Sequence, residues 1–209
     1  MIPRIFFQTD KTPPQPYIID LIRSRIGDWA YEFYDDAAVL QFFKSNPIHD
    51  LPDVCDKFNS LRSGAHKADL FRYYYLFVKG GVFMDSDAMI YADIEGIIHD
   101  CEFISVNSSV HQGTIFQGII GSTPGNEVIK RALYQAYSTP DYVFNENYQC
   151  LTKQLYDILQ QAHGCRVKLL EERRHDDVGH VMFDPNRPGT ILFKHYWVQK
   201  NIPTLSSLF

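Results

Sequence analysis

The sequence predicts an α/β fold in which helices flank a mostly parallel central sheet. Three observations carry this reading. The chain opens by alternating strand, helix, strand and helix; a long apolar helix runs through a glycine pair into a short apolar strand; and the composition is globular at single-domain length. Sheets of this kind bind ligands at the carboxyl ends of their strands.

Residues 2–9 mix β-branched and aromatic side chains and stop at the proline-rich segment 11–16, which predicts a strand and then a loop. A helix over 17–26 follows from the spacing of Ile18, Ile19, Leu21 and Ile22, and 31–34 reads as a second strand. Asp35 and Asp36 offer an N-cap to a helix over 37–44, because a short carboxylate can accept from the free amides of the first turn. A helix at 51–61 leads to Ser63, the expected cap of the strongest helix, 64–79, which ends at Gly80 and Gly81. Residues 82–84 are then a strand that runs into Asp85-Ser86-Asp87. Downstream, 103–106 and 115–120 read as strands, 126–137 and 147–163 as helices, and 166–170 and 190–197 as closing strands. No repeat, low-complexity tract or linker interrupts the chain, so one domain over 1–209 is expected, with 201–209 a tail or the cut edge of a longer protein.

Composition narrows the class. Hydrophobic residues at 45% and charged residues at 22% fit a globular protein. A net charge of -5 gives no basic footprint, so no nucleic-acid partner is expected, and an anionic substrate would need local cations or a metal. Aromatics reach 14%; they offer stacking surfaces, but most must be core. Cys55, Cys101, Cys150 and Cys165 are scattered without a CxxC pair, as for reduced thiols in a cytoplasmic protein. The opening apolar run is too short for a secretion signal, and no run approaches the roughly 18 apolar residues of a membrane span.

The Asp85-Ser86-Asp87 pair gains weight from its position. With 18 aspartates in 209 residues, about 1.6 DxD pairs arise by chance, so the motif alone decides little. Here the pair ends a short apolar strand, where hard carboxylate oxygens suit Mg²⁺ or Mn²⁺ bridging to substrate phosphates. Geometry adds a second argument. From Gly81 the strand climbs roughly 13–20 Å to the pair, at about 3.3 Å per residue. The antiparallel helix covers that climb in roughly 9–13 residues at about 1.5 Å each, a span that takes in the level of Lys67 to Asp69. Asp69 and Arg72, spaced i, i+3, share one face of an otherwise apolar helix and can point at the site together.

These residues carry a resemblance. Ala68-Asp69-Leu70-Phe71-Arg72-Tyr73 followed by Gly80-Gly81-Val82-Phe83-Met84-Asp85-Ser86-Asp87 resembles the signature of glycosyltransferase family 32, which includes capsule and mannosyl chain enzymes and is related to clostridial glucosylating toxins. The opening Ile2-Pro3-Arg4-Ile5-Phe6-Phe7-Gln8 is similar to the family's first strand, with Phe7 where His is common, and Tyr34-Asp35-Asp36 is similar to its Trp-Asp-Asp. A small chlorovirus glycosyltransferase domain is similar as well. The resemblance implies a Rossmann-like GT-A fold, a nucleotide sugar donor, Mn²⁺ or Mg²⁺, a glycan or glycoprotein acceptor, and retention of anomeric configuration. It implies Asp69 and Arg72 as donor sugar contacts, Asp85 and Ser86 at ribose and sugar, Asp87 as the firmest metal ligand, and Phe6, Phe7 and Gln8 beside the base.

Gln117, His111 and Gln112 lie in the polar, glycine-rich stretch 107–121, and the resemblance implies Gln117 as the group at the reacting face, where retaining GT-A enzymes often place an amide or carboxylate. His195, near Trp197 at the end of the final strand, resembles the His near a Trp that follows the last strand of these enzymes, which implies a third metal ligand or a partner for the diphosphate, with Lys194 the expected charge near the leaving group. Arg173, Arg174, His175, Asp176 and Asp177 read as a charged loop or lid. A nucleotidyltransferase or phosphohydrolase would share the DxD, but the sequence has no P-loop and no second carboxylate cluster of convincing spacing.

Overall fold

The computed structural model describes residues 1–176 and 179–203. The chain opens with β1 (Ile5–Thr9), α1 (Pro16–Ile26), β2 (Ala30–Tyr34) and α2 (Asp36–Ser45), then runs through α3 (Val54–Ser60) and α4 (Gly64–Val78) into β3 (Gly81–Met84). Next come β4 (Ala88–Ile90), α5 (Ile94–Ile98), β5 (Phe103–Asn107) and β6 (Ile115–Ser122). The helices α6 (Glu127–Ser138), α7 (Asp141–Glu146) and α8 (Cys150–Gln160) precede β7 (Val167–Asp176), β8 (Gly179–Phe183), β9 (Ile191–His195) and a 3-10 turn at Gln199–Asn201. Asp35 caps α2 as expected, accepting from the Ala38 amide at 2.8 Å. Ser63 occupies the N-cap of α4 without a side-chain bond.

The elements β4, α5, α7 and β8 were not legible. Each is three to six residues long, too short for periodicity to separate helix from strand. Strand β7 extends well past the expected end, so Arg173, Arg174 and His175 belong to a strand paired with β8 rather than to a charged loop. The Arg173 guanidinium lies over the Phe183 ring at 5.1 Å, which explains a charge inside a strand. Asp177 and the segment 204–209 fall outside the described residues.

All nine strands join one sheet in the order β2-β1-β3-β6-β5-β7-β8-β9-β4. The α/β class stands, but the sheet is mixed rather than mostly parallel. The pairs β1–β2, β1–β3 and β5–β7 are parallel, while β3–β6, β5–β6, β7–β8, β8–β9 and β4–β9 are antiparallel. The cause is connection length: β5 returns directly into β6, and β7 into β8, and short links can join only antiparallel neighbours. Because β2 lies on one side of β1 and β3 on the other, the carboxyl ends of β1 and β3 form a topological switch point.

The sheet separates two cores. Alternation along β1 sends Phe7 into a core with α2, α3, α4, α6 and α8, and Phe6 into a second with α1, α5 and β4. No helix among the described residues is long and apolar enough to cross a membrane.

The turn between α4 and β3 fixes the level at which the DxD emerges. Gly80 and Gly81 have φ of 69° and 108°, and a Cβ on Gly81 would lie 2.7 Å from the Ile5 carbonyl oxygen. Gly81→Ala should therefore cost about 2–3 kcal/mol of stability, through strain and a backbone clash. Urea unfolding tests this: the midpoint should fall with the m value unchanged, and an unmoved midpoint refutes it.

Candidate active site

The DxD loop is clamped on every side by backbone and buried polar contacts. The Asp85 amide donates to the Gly118 carbonyl at 2.8 Å, and the Gln8 amide donates to the Asp85 carbonyl at 3.0 Å. Gln8 is itself held by the Tyr31 hydroxyl, which donates to its Oε1 at 2.9 Å. The Tyr196 amide donates to the Asp87 carbonyl at 2.8 Å, and Ser86 Oγ donates to the Asp10 carboxylate. Gly118 is needed for this fit, because a Cβ there would sit 2.5 Å from the Asp85 carboxylate.

The expected meeting of helix and strand takes place. Arg72 Nη2 lies 3.5 Å from Asp69 Oδ1 and 3.3 Å from Asp85 Oδ1. Its Nη1 donates to the Gln117 carbonyl, its Nε to the Ala68 carbonyl at 3.2 Å, and its Cζ lies 4.2 Å from the Phe83 ring centroid. With 4% of its surface exposed, Arg72 is a desolvated charge that spends its planar fork on two carboxylates and two carbonyls. Burial raises the pKa of Asp69 and of Asp85, and the Arg72 charge opposes it at both.

Across the cleft, β9 pairs with β4 and delivers His195 beside the second aspartate, its Nε2 3.1 Å from Asp87 Oδ1. Burial disfavours the imidazolium, but the Asp87 hydrogen bond and charge, with Asp85 and Glu172, outweigh it and raise the His195 pKa. Asp85, Asp87 and His195 each offer one ligand atom, and these lie within 4.8 Å of one another. Two hard oxygens and one imidazole nitrogen fit a divalent cation of the Mn²⁺ type.

Two cavities meet at these residues. A cleft of about 710 Å³ runs past Asp85, Ser86, Asp87 and His195 and is edged by Lys11, Arg62 and Lys67. A second, of about 290 Å³, lies against Asp69, Arg72, Asp85 and Gln117 and opens beside Trp197.

Other expected residues are placed differently. Phe6 and Phe7 are fully buried in the two cores and cannot border a base; strand alternation gives each to a core face. Gln8 lies beneath the DxD as a support, not in the cleft. Lys194 lines neither cavity: alternation puts it on the face opposite His195, where its Nζ lies 4.8 Å from the Tyr196 ring centroid. Gln117 does face the second cavity, as does exposed His111, while Gln112 does not. Sequence reading missed Asp10, Lys11, Arg62 and Glu172, since single charges in loops or strands give no signal before the sheet order is known.

Residues 9–104 match the family described as "Glycosyltransferase sugar-binding region containing DXD motif". The matched stretch, a little under half of the chain, carries Asp69, Arg72 and the DxD, and over it the chain is similar to DXD-containing glycosyltransferases. Among solved structures the chain is similar to PaToxG Glycosyltransferase, with a TM-score of 0.54 and 12% identity over 77% of this chain and 69% of that one. It is similar at a TM-score of 0.37 to a protein of STIV, with 11% identity over 90% and 92% of the two chains. No curated protein matches the sequence.

The Arg72 fork ties α4, the DxD and β6 together, so it should matter for folding as well as chemistry. Arg72→Ala strands buried Asp69 and is expected to cost about 3–5 kcal/mol. Denaturant melts of Arg72→Ala beside Asp69→Asn/Arg72→Met measure this: the double variant should recover part of the loss, and a single variant of wild-type stability rules the network out.

Proposed function

We propose that this glycosyltransferase moves a hexose from a nucleoside diphosphate sugar, with a UDP-sugar as the leading donor, to a hydroxyl of a glycan or glycoprotein, with retention at the anomeric carbon. The observation that carries the reading is the meeting of Asp69, Arg72, Asp85, Asp87 and His195 at the switch point between β1 and β3. Residues 1–209 serve as one catalytic domain in this reading.

Asp85, Asp87 and His195 would hold Mn²⁺ or Mg²⁺. When bound, the ion supplies Lewis-acid stabilisation to the diphosphate. Lys11, Arg62 and Lys67 lie along the larger cleft and give it cations that the net charge of -5 does not otherwise provide. Lys67 is held by Asp36 at 3.1 Å and lies 4.7 Å from the Phe58 ring centroid, so its ammonium is pre-positioned. Asp69 and Asp85 accept hydroxyls of the donor sugar, and Arg72, ion-paired with both, opposes the rise that burial gives their pKa values and keeps them aimed. In the transfer, the bond from the anomeric carbon to the diphosphate oxygen breaks and one to the acceptor oxygen forms on the same face. The acceptor's proton leaves with the nucleoside diphosphate. Gln117, facing the smaller cavity, is placed to steady the positive anomeric centre through its amide oxygen.

Asp87→Ala should lower sugar transfer at least about 10²-fold and remove the Mn²⁺-dependent part of the thermal shift given by UDP- or GDP-sugars. Asp85→Asn should act mainly on donor orientation. Product analysis by NMR should find free nucleoside diphosphate and an unchanged anomeric configuration. Pyrophosphate or orthophosphate as product would instead favour a nucleotidyltransferase or phosphohydrolase, and near-normal turnover by Asp87→Ala would end the metal assignment.

A further inference from the structure

The smaller cavity holds buried polar groups that the protein itself leaves incompletely bonded. Gln117 is 3% exposed, yet neither its amide nitrogen nor its amide oxygen has a hydrogen-bond partner. The hydroxyl of buried Tyr73 approaches the same amide. A buried amide left short of partners is costly in a folded protein unless something bound there completes it.

At the outer end stands a second polar assembly. Glu172, 5% exposed, accepts from Ser108 Oγ at 2.8 Å, and His180 Nδ1 lies 3.4 Å from its other oxygen. Trp197 packs edge-on against His180 with centroids 5.4 Å apart and remains 40% exposed. Its φ of 65° is a left-handed conformation that a bulky side chain rarely adopts, and it holds the indole where the cavity and the larger cleft meet, lining both.

Charge separates this cavity from the cleft. The cleft has Lys11, Arg62 and Lys67 at its edges, whereas among the described residues the only lysine or arginine lining the smaller cavity is Arg72, already held by Asp69 and Asp85. Glu172 adds a further carboxylate, so a phosphate is disfavoured there and a neutral polyol is favoured. A volume of about 290 Å³ lies at the lower end of small-molecule sites and suits a single ring.

We infer that the outer end of this cavity is the acceptor subsite, and that the acceptor presents a neutral sugar whose ring packs on Trp197 and whose hydroxyls donate to Glu172. The inference rests on the transferase reading and adds the acceptor's chemical class. The inner end, at Asp69 and Gln117, then lies where donor sugar and acceptor hydroxyl meet, and the bound hydroxyls satisfy the Gln117 amide.

Tryptophan emission tests this directly, because the only other tryptophan, Trp29, is 5% exposed and bonded to Glu95 at 2.9 Å. With UDP and Mn²⁺ present, methyl pyranosides of glucose, galactose and mannose are titrated into the full chain. At least one should change the emission saturably, and Trp197→Phe should abolish the change. In transfer assays, Glu172→Gln should raise the acceptor KM at least ten-fold while the donor KM moves less than two-fold; Trp197→Ala, at an exposed position, should do the same if Glu172→Gln melts early. A donor KM that rises as much as the acceptor KM would place the donor sugar here and overturn the inference. So would a response to a serine- or tyrosine-bearing peptide with none to any pyranoside. If pyranosides shift the emission of a protein that turns over no nucleotide sugar, the sugar site stands and the transferase reading falls.

Discussion

A single buried guanidinium organises this protein. Arg72 reaches from α4 to both site carboxylates and to the backbone of β6, with its plane over Phe83. Removed from water, Asp69 and Asp85 would favour their neutral forms, and the arginine charge is what opposes that tendency at both. The dependence is mutual. An uncompensated guanidinium would be costly at 4% exposure, so neither the arginine nor its carboxylates can be changed alone without disturbing the other. The geometry of the glycine turn, the register of β3 on β1 and the approach of Gly118 all set the distances over which this compensation works.

Much of this arrangement was legible in the chain. Asp85 and Asp87 are adjacent in sequence and end an apolar strand, so local pattern alone places them at a sheet edge. Asp69 and Arg72 were placed by comparing the rise of a helix with that of a strand, a calculation that works because both elements are regular and joined by two residues. His195 depended on family resemblance, since nothing local tells a strand histidine where the sheet will carry it. The errors share one origin. Phe6 and Phe7 were expected beside the base through the resemblance and Lys194 through its nearness to His195, and neither ground specifies which face a side chain takes until the neighbouring layers are known. Strand direction was hidden for the same reason: antiparallel returns at β6 and β8 leave no mark on hydrophobic period.

The division of labour between the two cavities follows from this sheet. The parallel half, β2-β1-β3, supplies the switch point and the cleft bordered by cations. The antiparallel half brings Glu172, His180 and His195 to the opposite wall from β7, β8 and β9. A mixed sheet thus carries one cavity bordered by cations and another bordered by Glu172 and histidines, with Arg72, Asp85, His195 and Trp197 lining both.

The pairing of β9 with β4 has a further consequence for biosynthesis. The acidic pair is translated long before His195, yet the histidine reaches it only when β9 has entered the sheet beside β4 and the Tyr196 amide has engaged Asp87. Gln199 also donates to Asp10 at 3.0 Å, a contact spanning almost the whole chain. Contacts of such high sequence separation form late, after the loop-closure entropy between them has been overcome. A ribosome-bound chain that has exposed the aspartates but not β9 therefore carries an open carboxylate pair, and the cluster with His195 is completed as a finishing step of folding rather than at its nucleus.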